Sequence, residues 1–572
     1  MISYLRKVNI KKETIQKIFL LALLIIGSIL LFCNYNYNGL KITEQKWFDE
    51  WQYDSENLVT LKIMDARVNG IMNYSGMLWG NFVYTHQVGL QGIVLSIVDK
   101  LLGYPENIFN ILYIIVSLFT VLAVMMFVYW AYREFGLLSS ITAYVTMMLS
   151  QWCIVSARNL YWVPVTLWLP FLCVLFTIRY EETHAKVNHI KLWVVAFIAM
   201  AIRFGCGFEF TSCVMITAEL PVIYYCLKNK CKFKEYLFRA LVVGTAAICA
   251  FLFMFAINFW QQATYYGGIN EAWESITKTI SQRTGVFNVE VAEVFQQSLE
   301  TNLLEVFKTY LSGSRYPLVL NYQMDMITIF FIVIVIIYNV IKKQHSIYGE
   351  RERHITAWLV TAVFSFLSPF SWFILAKGHC VIHTHINYIL WSIPCLAMIA
   401  AFIGATVEGI AVGLRNKSKQ IDTKKLVKQM LIIFAIIICI ISIILVVNLL
   451  NNEKMVSSVK EGGKTLWKDE VRQIISYKQK LYYIEDDAAK AVAPYFLHIY
   501  PVSSDNLLLD YQKQYGFANH DFSYDEKDIP LFFWNQEHAC CVDIPDYSIK
   551  QIMTGQYTDS GSLWQVTIDM VN

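Results

Sequence analysis

The chain has 572 residues, 56% of them hydrophobic and 16% charged, with a mean hydropathy of +0.43. A soluble domain carries roughly 45–50% apolar and about 25% charged residues, so most of this chain is expected to be solvated by lipid. A formal charge of +3 without a basic stripe among aromatics argues against a nucleic-acid partner, and the 13 cysteines sit mostly inside apolar runs at no zinc spacing, with Cys540–Cys541 not a CxxC pair.

Taken in chain order, apolar runs of spanning length fall at roughly 18–33, 107–131, 137–156, 161–178, 190–204, 209–227, 239–259, 325–341, 355–376, 386–412 and 429–450. The expected fold class is therefore a polytopic α-helical membrane protein with about eleven transmembrane helices. The first run follows Lys11, Lys12 and Lys17 but has no A-x-A site after it, and reads as an uncleaved span. Residues 82–102 are too polar to cross cleanly and read as an amphipathic helix lying on the bilayer. Residues 260–324 are polar and helix-prone. The tail from about 452 mixes strand-like runs such as "KLYYIE" and "LWQVTID" with helix-like ones, which suggests a small soluble α/β domain.

The lysines and arginines set the expected orientation. With the N-terminus cytoplasmic, alternating the spans puts the clusters 6–17, 228–239, 342–353 and 415–428 all on one side. Residues 34–106, 260–324, 377–385 and 452–572 then lie outside. The expectation is an integral, multi-pass plasma-membrane protein with a membrane domain over 1–451 and an external domain over 452–572. No P-loop and no GxGxxG in a strand–helix setting supplies a nucleotide motor.

Four places could carry chemistry. In "WFDEWQYDSE", Asp49 and Glu50 lie just outside the first span, among aromatics that partly desolvate them; either could serve as a general base, or both could cap a juxtamembrane helix. Asp54, Glu56 and Asp65 read as helix-surface charges. In "LAKGHCVIHTHINYILWSIP", Lys377, His379, His383 and His385 crowd one external loop, with Tyr388 entering the next span. That cluster suits a phosphate better than zinc, because the i,i+2 histidines need extended backbone and no third ligand is marked nearby. Arg158 stands between two spans, as a snorkelling arginine or as a second contact for the same anion. Arg203 and Glu209 are expected to pair with each other, while Arg283 and Arg315 are free to reach a diphosphate or a sugar. His86 precedes the amphipathic helix and reads first as a polar interface residue.

These features together resemble the GT-C superfamily of membrane glycosyltransferases, which take sugars from polyprenyl-phosphate carriers. An acidic external stretch (Asp49–Glu50) follows the first span, and His86 precedes the amphipathic helix, a "LLGYPENIF" turn and a long span ending "YREFG". Arg158 follows the third span, and a late basic loop runs into "HINYILWSIP". The resemblance covers roughly 18–178 and 375–412 and implies Asp49 as base with Glu50 assisting. It implies His86, Arg158, Lys377, His379, His383, His385 and Tyr388 as contacts to the lipid phosphate and sugar. The chain departs from the family at Asn159, Tyr161 and Trp162, where many members carry a second acid. The implied partners are a polyprenyl-phosphate-linked sugar donor, a glycan or lipid acceptor, and membrane lipid. The resemblance fixes no cofactor, and a divalent metal is left open because Asp49–Glu50 is not a DxD motif. A polysaccharide polymerase or ligase using polyprenyl diphosphates is the neighbouring alternative, and a lipid or polysaccharide transporter the alternative from another class.

Overall fold

The computed structural model describes residues 20–21, 24–71, 76–79, 82–284, 302–313, 316–345 and 351–416, followed by eight strands between 464 and 568. The chain divides into two compact units, residues 1–312 with 316–428, and residues 313–315 with 429–572.

The first unit begins with α1 (Leu24–Tyr37), then α2 (Gln45–Glu50) and α3 (Tyr53–Asn69). Helix α3 opens with Asp54 and Glu56 and closes with Arg67, charges placed to oppose the helix dipole at each end. A two-stranded ribbon of β1 (Leu78–Trp79) and β2 (Phe82–Val83) follows, antiparallel with Leu78 opposite Val83. Helix α4 (Leu90–Leu101) packs on α3, and Arg67 holds Asp99 through two hydrogen bonds of 2.8 Å.

Helix α4 starts at Leu90, not at residue 82 as the sequence suggests. Gly89 takes a φ of +74°, and its carbonyl occupies the place a Cβ on Gly76 would need. The turn at 76 therefore presses against the helix start, and residues 82–89 are used to make that approach. One side of α4, with Gln91, Leu95 and Asp99, is buried, while Val94, Ile97 and Leu101 are exposed, so the helix is amphipathic as expected.

Next come α5 (Ile108–Phe135), α6 (Leu137–Leu149), α7 (Gln151–Ser156), α8 (Val165–His184), α9 (His189–Cys206), α10 (Thr211–Lys228), α11 (Phe233–Tyr266) and α12 (Ile269–Thr284). Beyond residue 301 lie α13 (Leu303–Ser312), α14 (Met324–His345), α15 (Arg351–Ser365), α16 (Leu367–Leu375), α17 (Lys377–Ile382), α18 (Thr384–Asn387), a 3-10 turn (Tyr388–Trp391) and α19 (Cys395–Asn416). One expected run is broken and one expected loop is ordered. Ser150 caps α7 by accepting from the Cys153 N–H, and so ends α6 inside the run 137–156. The loop expected over 377–385 is two short helices instead. Glu408 reaches across from α19 to accept the Leu138 N–H at 2.7 Å, satisfying one of the orphan donors at the start of α6.

Among the described residues, six helical segments are long and apolar enough to cross a membrane: Ile108–Phe135, His189–Cys206, Phe233–Tyr266, Met324–Lys342, Arg351–Leu375 and Tyr388–Ile410. A helical, multi-pass membrane protein fits them. Helices α8 and α10, expected as spans, are not in that set and pack among its members; the run 429–450 lies outside the described residues. Burial separates centre from rim: 94% of the apolar window in Tyr388–Ile410 is buried, against 22% in Phe233–Tyr266 and in Met324–Lys342. The exposed faces of those two carry Leu241, Ile248, Leu252, Phe253, Ile332 and Ile336, the residue types that lipid solvates. At the centre, Phe127, Trp130, Tyr224 and Trp358 form an aromatic cluster, with the Trp130 indole donating to the Tyr225 hydroxyl at 3.0 Å.

In the second unit the described elements are strands: β3 (Lys464–Lys468), β4 (Arg472–Tyr477), β5 (Lys480–Glu485), β6 (His498–Pro501), β7 (Pro530–Trp534), β8 (Ala539–Asp543), β9 (Met553–Thr554) and β10 (Leu563–Ile568). They pair antiparallel in one sheet of order β3-β4-β5-β10-β9-β6-β7-β8. Cys540 and Cys541 are successive residues of β8, in register with Phe533 and Phe532 of β7.

Candidate functional site

The site grows from α2, a helix of six residues that presents Asp49 beside the break between α7 and α8. Asp49 keeps 50% of its side chain exposed, and both carboxylate oxygens are held. Arg158 donates to Oδ1 at 2.9 Å and Gln45, one turn back on α2, donates to Oδ2 at 3.0 Å. The guanidinium is itself fixed: it donates to the Asn36 carbonyl at 3.2 Å and lies 4.1 Å from the Phe48 ring and 5.0 Å from Tyr113. Two residues singled out in the sequence, 109 positions apart, thus form one ion pair. Glu50 follows on the same short helix; its side chain lies outside the described residues.

Glu56, expected on the surface, is 8% exposed. Its carboxylate accepts the Leu160 N–H at 2.7 Å and the Tyr113 hydroxyl at 3.0 Å, tying α3 to α5 and to the 157–164 turn. Burial pushes it up to about 7, against the lowering effects of the Leu160 amide, Tyr113 and the nearby Arg158. Asn159 organises the same turn: its Oδ1 accepts the N–H groups of Tyr161 and Trp162, each at 3.0 Å, and its Nδ2 donates to the Trp51 carbonyl at 3.3 Å.

Beyond Tyr161 a second polar cluster begins. Arg203 and Glu209 do not pair through their charges as expected. The Glu209 carboxylate takes Arg283 at 2.9 Å, while Arg203 donates to the Glu209 carbonyl at 3.0 Å. The Tyr161 hydroxyl also donates to that carboxylate, at 3.5 Å. Arg283, expected to be free for a diphosphate or a sugar, is engaged here because a carboxylate 4% exposed needs a cation. Burial alone would push Glu209 up, but Arg283, the backbone and Arg203 hold it below the usual carboxylate range. His86 lies in the turn before α4, sharing a 2.9 Å hydrogen bond with Thr279 of α12 and standing edge-on to Tyr84. Burial, then Arg283, lowers it to about 4, with Glu209 opposing. At neutral pH it is an uncharged imidazole.

Helix α12 also packs against α17, which carries Lys377 and His379, so His86 and the late basic segment meet the same helix. Lys377 is half-buried. His379 is 6% exposed, shares a 3.2 Å contact with the Asn387 amide, and its ring lies 4.5 Å from that of His383. Tyr388, expected to touch a substrate, is 1% exposed: its hydroxyl donates to Gln323 Oε1 at 2.7 Å and accepts the Met324 N–H at 3.0 Å, which spends it on the start of α14. The His385 side chain and Arg315 lie outside the described residues.

An aromatic chain links the two ends of the site. Trp47 of α2 stacks on Tyr316 at 3.6 Å and meets Trp152 edge-on at 5.4 Å; Trp152 in turn lies 5.4 Å from Tyr388. The geometry brings Asp49 and Arg158 into contact and packs the helix that carries Lys377 against α12. Tyr84, Gln45 and the Glu209–Arg283 pair are the members sequence reasoning missed. Among the described residues no three metal-ligating side chains converge. No family model, curated protein or solved structure matches the chain.

Proposed function

We propose that the protein is a GT-C-like membrane glycosyltransferase that moves a sugar from a polyprenyl-phosphate carrier to a hydroxyl on a glycan, lipid or protein. In this reading the chain crosses a plasma membrane about eleven times, with its N-terminus cytoplasmic and residues 452–572 outside. The observation that carries the proposal is the Asp49–Arg158 pair: a carboxylate half open to solvent, held at 2.9 Å by an arginine that is itself braced.

The chemistry needs one base and a place for an anionic leaving group. The acceptor hydroxyl attacks the anomeric carbon, the carbon–oxygen bond to the phosphate breaks, and the carrier phosphate departs with the electron pair. Asp49 takes the hydroxyl proton. Arg158, shared between Asp49 and the departing phosphate, fixes the distance between base and leaving group, and Lys377 with His383 holds the rest of the phosphate charge. His86, neutral at pH 7, contributes hydrogen bonding to the sugar and no charge. Tyr113 lies against Arg158, and about 32 Å further along α5, at 1.5 Å per residue, Glu134 meets a basic cluster. That separation matches one hydrocarbon thickness of about 30 Å, which supports a site at the headgroup level where a lipid-borne donor would present its phosphate.

Sugar transfer by the purified protein from a panel of polyprenyl-phosphate sugars, beside its Asp49→Asn variant, tests the reading. Transfer or donor hydrolysis that vanishes in Asp49→Asn is the expected result. Reaction only with diphosphate-linked glycans would move the assignment to a polymerase or ligase.

A further inference from the structure

At the far end of α5 from Asp49, a cavity of about 930 Å³ opens between the ends of α5, α10, α14 and α15. Four cations line it, Lys230, Lys342, Arg351 and Arg353, against two acids, Glu134 and Glu352. Both acids are already matched. Glu134 takes Lys228 at 2.6 Å and Arg179 at 3.3 Å, with the Tyr224 hydroxyl donating at 2.6 Å. Glu352 takes Lys342 at 3.3 Å.

Lys230, Arg351 and Arg353 remain on the wall, exposed and without a carboxylate partner among the described residues. Arg351 is steadied by a 3.4 Å contact to the Phe135 carbonyl. Three unmatched cations around one concavity favour an anion of more than one charge, or one anion bound firmly. The same wall carries Leu227, 43% exposed, together with Ala357 and Val360, so apolar and cationic surface share the opening. An apolar wall does nothing for a free ion, whereas an amphiphile uses both surfaces. The cavity also stands about 32 Å along α5 from Tyr113, a separation that matches one hydrocarbon thickness of about 30 Å.

We propose that this cavity binds the phosphate headgroup of an anionic phospholipid, with Lys230, Arg351 and Arg353 on the phosphate and the acyl chains leaving past Leu227 and Val360. This site is separate from Asp49 and does not depend on the glycosyltransferase reading. A basic pocket between helix ends is the arrangement that recognises anionic headgroups in membranes, and each cation near such a surface contributes about fivefold in binding.

The test uses the full chain purified in detergent, with a fluorescent short-chain phosphatidylglycerol, the matching phosphatidylcholine, and inorganic phosphate as probes. Phosphatidylglycerol is expected to bind and phosphatidylcholine not. The double variant K230Q/R353Q should weaken phosphatidylglycerol about 25-fold, and the charge-keeping K230R/R353K should retain it. Should the double variant fail to fold, Arg353→Gln alone should lose about fivefold. Equal binding of both lipids, or binding indifferent to these substitutions, overturns the proposal. So does inorganic phosphate binding as tightly as phosphatidylglycerol, since the pocket would then serve a free anion.

Discussion

Glu56 should make the membrane unit less stable as pH rises, and the size of the effect follows from its surroundings. Its carboxyl is raised from an ordinary 4.5 to about 7 by burial, so the folded protein holds this proton more tightly than the unfolded chain does. The contribution is fully present below pH 4.5 and is lost as pH climbs through about 7. At about 1.4 kcal/mol per pKa unit the span corresponds to about 3 kcal/mol. With an unfolding entropy near 2.1 cal/mol/K per residue, a unit of about 400 residues converts that to roughly 4 °C. Glu56→Gln keeps an acceptor for the Leu160 N–H and removes the titration. Thermal melting in detergent at pH 4.5 and pH 8 should therefore give a wild-type drop in Tm that is about 4 °C larger than the drop in Glu56→Gln. Equal drops in the two proteins would refute the burial argument, because other titrating groups are common to both.

Arg283→Ala should destabilise by about 3–5 kcal/mol, since it strands a Glu209 carboxylate that is 4% exposed. Adding Glu209→Gln should recover most of that loss in Tm. Tyr388→Phe removes the acceptor of the Met324 N–H and the donor to Gln323, costing about 1–3 kcal/mol. It should leave the KM for any lipid-linked donor unchanged, because the hydroxyl is buried in packing; a KM change with unaltered Tm would put Tyr388 back among the substrate contacts.

The helices were legible where apolar runs are long and bounded by charge: the runs at 107–131, 239–259 and 325–341 reappear inside α5, α11 and α14, with α11 extending well beyond its run at both ends. The interruption at Ser150 was not legible, because the run 137–156 around it is mostly apolar and only a side-chain cap marks the break. The start of α4 was hidden for a different reason. It depends on backbone pressing on backbone at Gly76 and Gly89, which hydropathy does not register. At the site, Asp49 and Arg158 stood out separately as charges near span ends, but their pairing is a tertiary contact. Glu56 looked like any acid in a polar helix; its burial depends on Tyr113 and Leu160 arriving from elsewhere in the chain. Arg283 and Glu209, 74 residues apart, illustrate the same limit: local proximity suggested Arg203 as the partner, and the fold supplied another.

The most direct measurement is sugar release or transfer from a polyprenyl-phosphate sugar by the purified protein, compared across wild type, Asp49→Asn and Arg158→Ala. The account predicts turnover in the wild type, loss of at least about 100-fold in Asp49→Asn with donor binding kept, and weakened donor binding together with slower turnover in Arg158→Ala. Full turnover in Asp49→Asn would contradict the account, and so would a wild type that binds the donor and leaves its sugar–phosphate bond intact with every acceptor offered.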